Sequence, residues 1–146
     1  MLTIFSRIVI PYDHSPLSKK ALETVINLAK QDIVIELDII TVVHVTMPSS
    51  YYVAFNVEDE VEAQIKEAKK NLNEAEKYVK DHLPNRVSTF VLEGTPAEMI
   101  VEFVKQNDAD LVVMGSRGLS GLKELFLGSV SHNVVQKSPC PVFIIK

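Results

Sequence analysis

Short apolar runs alternate along this chain with segments in which apolar residues recur every three or four positions. The first run, Ile8-Val9-Ile10, predicts a strand halted at Pro11, since proline has no N–H for a sheet ladder. Ser15-Pro16 follows as an N-cap and a first helical residue, and Leu22, Val25, Leu28 and Ala29 form the inward stripe of that helix. A second strand is predicted over Leu37 to Val45, with Asp38 at its entering end, where water is accessible. The stretch Met47 to Asn56, with its Pro, Ser and aromatic residues, reads as a loop that either covers a ligand or partner or packs as a small satellite core.

From Asp59 to Leu83 the positions Val61, Ile65, Ala68, Leu72, Ala75 and Val79 mark one helix face, and the polar positions between them read as its solvated side. Pro84 ends that helix, and Val87 to Leu92 predicts the third strand. Thr95-Pro-Ala-Glu98 has the form of a capping box opening a helix whose Ile100, Phe103 and Val104 face inward. Leu111 to Met114 and Val142 to Ile145 complete the strands, with a helix over Val130 to Lys137 between them. Strand and helix alternation with right-handed crossovers predicts an α/β fold in one domain, residues 1–146. It is a three-layer doubly wound sandwich: a five-stranded parallel sheet of order 3-2-1-4-5 with four main helices.

In that order the strand sequence reverses between strands one and four, where doubly wound sheets bind ligands beyond their carboxyl ends. The residues leaving those strands are Pro11-Tyr12-Asp13 and Met114-Gly115. From Gly115 runs Gly-x2-Gly-x9-Gly-Ser, through Gly118 to Gly128-Ser129. The glycines are either ordinary turn residues or a phosphate cradle. For the cradle, a backbone without Cβ lets a ligand approach, and the following helix offers unpaired N–H groups and a positive dipole end. No Gly-Lys-Ser/Thr follows, no G-x-G-x-x-G occurs, and Met114 stands where a nucleophile elbow needs glycine.

Composition narrows the picture further. The 146 residues are 47% hydrophobic with a net charge of −4, a globular balance without the basic face that nucleic-acid binders present. With no 18-residue apolar stretch and no signal peptide, the expectation is a cytoplasmic protein without a membrane span. The single cysteine, Cys140, reads as a packed small residue, and His14, His44, His82 and His132 are too scattered for a transition-metal site.

The stretch from Leu111 to Ile145, GSRGLSGLKELFLGSVSHNVVQKSPCPVFIIK at its heart, closely resembles the C-terminal half of the universal stress protein family, whose nucleotide-binding members carry this glycine spacing. The resemblance implies ATP or a related adenine nucleotide as ligand, with room for Mg2+ held through the phosphates. It implies that Asp13 accepts from ribose hydroxyls or the adenine amino group, although Asp13 also reads as a turn or capping residue beside Ser15. Val45 matches the position lining the adenine pocket, and Met114 would lie against the ring. Gly115, Gly118, Gly128, Ser129 and Val130 would offer backbone N–H groups, and Arg117 would reach outward phosphates. Tyr12 departs from the family pattern and either narrows the mouth or projects to solvent. The resemblance also implies a homodimer through the fifth strand, with a downstream protein partner it does not name.

No Walker-type Gly-Lys-Ser/Thr follows the glycines, and no positioned base or metal-ligand set accompanies these residues, so the expectation is binding with at most slow hydrolysis. A weak ATPase and a nucleotide-independent dimeric scaffold are the alternatives.

Overall fold

The computed structural model describes residues 4–44, 54–118 and 127–146. Its elements are β1 (Arg7–Pro11), α1 (Pro16–Ala29), β2 (Glu36–Val43), α2 (Ala54–His82), β3 (Val87–Glu93), α3 (Pro96–Gln106), β4 (Leu111–Gly115), α4 (Ser129–Lys137) and β5 (Val142–Ile145). All pairings are parallel and the sheet order is β3-β2-β1-β4-β5. This is the doubly wound α/β sandwich expected from the alternation.

Side-chain alternation along the strands builds two cores. Ile8, Ile10, Leu37, Ile39, Leu111 and Val113 face α1 and α2. Val9, Ile40, Val112 and Met114 face α3 and α4. Strands covered on both faces must be apolar at nearly every position, which is why they read as continuous runs. Each large side chain wholly removed from water, such as Ile8, Ile10 or Leu111, adds about 1.5–3 kcal/mol. On α2, Ala68, Leu72, Ala75 and Val79 are buried while Val61 and Ile65 are only half-buried, so the helix leaves the core toward its amino end.

Several boundaries differ from the sequence reading. β1 runs through Pro11, which pairs with Ile40, and the ladder resumes when Tyr12 N–H donates to the Ile40 carbonyl at 2.8 Å. β2 ends at Val43, short of the expected Val45, and α2 begins at Ala54 rather than Asp59. Val45 and most of the loop assigned to Met47–Asn56 lie outside the described residues. Ser15 caps α1 as expected, its hydroxyl accepting from Ser18 N–H at 3.2 Å. Thr95 makes no side-chain cap on α3, and the entry relies on Pro96 in the first turn and the Met99 N–H bond to the Thr95 carbonyl.

Asp38 is buried, not water-accessible. Arg7 Nε lies 3.3 Å from its Oδ2, while Arg7 also donates to Glu36 Oε2 at 2.9 Å and to the Asn107 carbonyl at 3.0 Å. Burial raises the Asp38 pKa above its usual range despite the Arg7 charge; desolvation outweighs the pair. The folded state therefore holds the proton more tightly than the unfolded chain. The stability this group contributes is complete below about pH 4, the unfolded value, and is lost as pH rises through the folded value. In urea unfolding, Asp38→Asn should gain on the unmodified protein between pH 4 and pH 7. A constant difference across that range would show that desolvation does not dominate.

Candidate functional site

A cavity of about 350 Å³ opens at the carboxyl ends of β1 and β4, within the size range of small-molecule sites. The β1–α1 loop brings Pro11, Tyr12 and Asp13 to it. The β4 end and following turn bring Met114, Gly115, Arg117 and Gly118, and the start of α4 brings Gly128, Ser129 and Val130. Ten of the eleven residues singled out in the sequence thus line one cavity, and Val45 lies outside the described residues.

The two loops fit together closely. A Cβ on Gly118 would stand 2.3 Å from Asp13 Oδ2, and one on Gly115 would stand 2.8 Å from the Leu17 Cβ of α1. Gly118 therefore makes room for a site carboxylate, whereas Gly115 makes room for the packing of α1. Neither requirement concerns a left-handed backbone. Among the described glycines only Gly94 has a positive φ.

Asp13 is also a turn residue, since its Oδ1 accepts the Ser15 N–H at 3.0 Å. That bond helps the chain through His14, whose φ of 64° is left-handed. Tyr12 is buried, which removes the solvent-facing alternative, and its hydroxyl lies 3.3 Å from His14 Nδ1. Burial, then the Glu74 and Asp13 carboxylates, raises the Tyr12 pKa, so the phenol stays neutral.

Gly128 plays a different part from the one expected. Its N–H donates to the Ser116 carbonyl at 2.7 Å instead of pointing to a ligand. The buried Ser131 hydroxyl donates to the same Ser116 carbonyl at 2.7 Å and to the Gly128 carbonyl at 3.0 Å. These bonds fasten the start of α4 to the end of β4. The amides that a helix leaves unpaired in its first turn belong to Ser129, Val130 and Ser131, all at the cavity wall. Together with the approach kept free at Gly118, they fit an anionic group.

Sequence reading missed Ser15, Thr41, Pro96, Ile100 and Ser131 as lining residues. Thr41 Oγ1 donates to the Tyr12 carbonyl at 2.7 Å and ties β2 to the β1–α1 loop. Ile100 carried only the ordinary signal of an inward helix position. With Ile40, Val42 and Met114 it makes part of the cavity wall apolar. Among the described residues no group of three or more His, Cys, Asp or Glu could hold a metal ion.

The universal stress protein family model matches residues 5–146, and the chain belongs to that family. It is 34% identical to a universal stress protein of Bacillus subtilis, over 98% of this chain and 100% of that protein. The fold superposes on the universal stress protein UspA from Lactobacillus plantarum with a TM-score of 0.90 at 23% identity, covering 99% of this chain and 100% of that one. Two more distant structures are described with ligands. One is a universal stress protein in complex with cAMP, at TM-score 0.68 and 24% identity, covering 99% and 98% of the two chains. The other is a universal stress protein family protein from Arabidopsis thaliana with AMP bound, at TM-score 0.62 and 17% identity, covering 97% and 91%.

Gly118→Ala should push the Asp13 carboxylate from its place and leave the sheet intact. For any ligand that Asp13 holds, losing a hydrogen bond to a charged group predicts binding weaker by about tenfold or more. Gly115→Ala should instead lower the melting temperature through its clash with Leu17. Calorimetric titration beside thermal unfolding checks both, and equal effects of the two variants on both readouts would contradict this division.

Proposed function

We infer that the protein binds an adenine nucleotide, AMP or ATP, as a regulatory member of its family, with efficient catalysis no part of its role. The carrying observation is the polarity of a single cavity. Its wall combines the α4 amino terminus and the glycine turn with the apolar side chains of Ile40, Val42, Ile100 and Met114. A phosphate suits the helix amides, a purine ring suits the apolar side chains, and Asp13 in the same wall suits ribose hydroxyls. The AMP and cAMP held by the two distant relatives support this reading. Mg2+ would enter on the phosphates of ATP, since it characteristically keeps its waters and binds through phosphate oxygens.

The sheet edge supports a homodimer. β5 pairs with β4, and the Val112 and Ser116 amides donate to the carbonyls of Pro141 and Ile145. Alternation then turns the N–H and C=O of Val142 and Ile144 outward. Phe143 is 39% exposed on this apolar strand, and an uncovered apolar edge is a liability that pairing with a second copy removes. No helix among the described residues is long and apolar enough to cross a membrane. A cytoplasmic location is the setting in which such a nucleotide binder would meet its ligand.

Titration with AMP, ATP and GTP should give saturable binding of the two adenine nucleotides and weaker binding of GTP. Absence of adenine-nucleotide binding at millimolar concentration would overturn the reading. For the assembly, light scattering should give a dimer mass at micromolar concentration and a monomer for Ile144→Pro, which deletes an outward donor. A monomeric unmodified protein would contradict the dimer, and a dimeric Ile144→Pro variant would move its interface elsewhere.

A further inference from the structure

The chain turns sharply just behind Asp13, and the residue that makes the turn, His14, does not itself line the cavity. Its φ of 64° is left-handed. A residue with a Cβ stays in that region only where its surroundings hold it there.

Tyr12 supplies the hold. Its N–H donates to the Ile40 carbonyl at 2.8 Å, and its own carbonyl accepts from Thr41 Oγ1 at 2.7 Å. Its ring is buried in the core that faces α1 and α2. From that fixed base the hydroxyl lies 3.3 Å from His14 Nδ1, and the two rings meet edge to face with centroids 6.1 Å apart. Burial keeps the phenol neutral, so the hydroxyl retains its proton for this contact.

Asp13 stands between the two bonded residues. Its Oδ1 accepts the Ser15 N–H at 3.0 Å, across His14. Its Oδ2 is the oxygen nearest Gly118, at 2.3 Å from where a Cβ would stand. A rotation about the His14 φ would carry the Ser15 N–H away from Oδ1. Ser15 is fixed as the cap of α1, so the carboxylate would have to take up the displacement.

We propose that His14 is a positioning residue: held by the Tyr12 hydroxyl, it fixes the turn that aims the Asp13 carboxylate at the ribose hydroxyls of the bound nucleotide. This rests on the binding of an adenine nucleotide in the cavity and adds the pair that sets how well the ribose is recognised. The effect is bounded by the bond that supplies it, about fivefold for one neutral hydrogen bond. Both residues act through that one bond, so removing either removes all of its effect.

The test is calorimetric titration with AMP and with dideoxy-AMP, which lacks both ribose hydroxyls. The proteins are the unmodified chain, Tyr12→Phe, His14→Gly, the double variant and His14→Asn. The unmodified protein should prefer AMP by about tenfold or more, the worth of a hydrogen bond to a charged group. Tyr12→Phe removes only the hydroxyl, and His14→Gly allows the left-handed turn without the ring. Each should cut the preference about fivefold, and the double variant no further. Affinity for dideoxy-AMP should hold throughout, which a general loosening of the fold would not allow. Asparagine tolerates the left-handed region and carries both a donor and an acceptor, so His14→Asn should restore the preference. AMP binding with the preference unchanged in Tyr12→Phe and His14→Gly, or losses that multiply in the double variant, would overturn the proposal alone. Equal affinity of the unmodified protein for the two ligands would overturn it together with the ribose role of Asp13. No binding of AMP at millimolar concentration would overturn the reading on which it rests.

Discussion

Everything at the ligand end of this molecule depends on how closely the loop leaving β1 approaches the loop leaving β4. The two strands are neighbours in the sheet although far apart in sequence, and their successors diverge to opposite faces, α1 to one and α4 to the other. The crevice between them exists because the chain must part there. Its width is set by missing Cβ atoms. Gly115 lets α1 settle against the end of β4, and Gly118 leaves space for the Asp13 carboxylate. With side chains at those positions the loops would stand apart, and the carboxylate, the helix amides and the apolar slot would no longer face one another.

The polar network around the crevice serves to hold this approach rigid. Thr41 fastens the β1–α1 loop to β2, Ser15 caps α1, and Ser131 with Gly128 fastens α4 to the Ser116 carbonyl. Four elements are thereby fixed around one space before any ligand enters. Preorganisation of this kind reduces the ordering cost of binding. Electrostatics then gives the space direction. The α4 amino terminus favours negative charge, whereas the Asp13 carboxylate disfavours it where it lines the wall. A ligand with an anionic end and a hydrogen-bond-donating end has one orientation that satisfies both.

The fold was legible because strands buried on both faces leave apolar runs, and helices leave spaced stripes that cannot be confused with them at these lengths. The meeting of Asp13 with the glycine turn was legible too, since strand order alone decides which loops are adjacent. What could not be read were contacts made across the fold by residues with ordinary local signals. Ser131 looks like any polar helix residue until its hydroxyl meets the Ser116 carbonyl. Asp38 looked solvent-facing because charged residues usually are, yet Arg7 from the neighbouring strand accompanies it into the interior. The glycines were recognised as places where a missing Cβ allows a close approach, but what approaches Gly118 is the Asp13 carboxylate, and the Gly128 N–H turns to the Ser116 carbonyl.

The most direct measurement is a crystal structure of the protein grown with AMP. The account predicts phosphate oxygens within hydrogen-bond distance of the Ser129 to Ser131 amides, ribose hydroxyls on Asp13, and the purine ring beside Met114. Nucleotide density at any other surface, or a nucleotide reversed with its phosphate away from the α4 amino terminus, would contradict it.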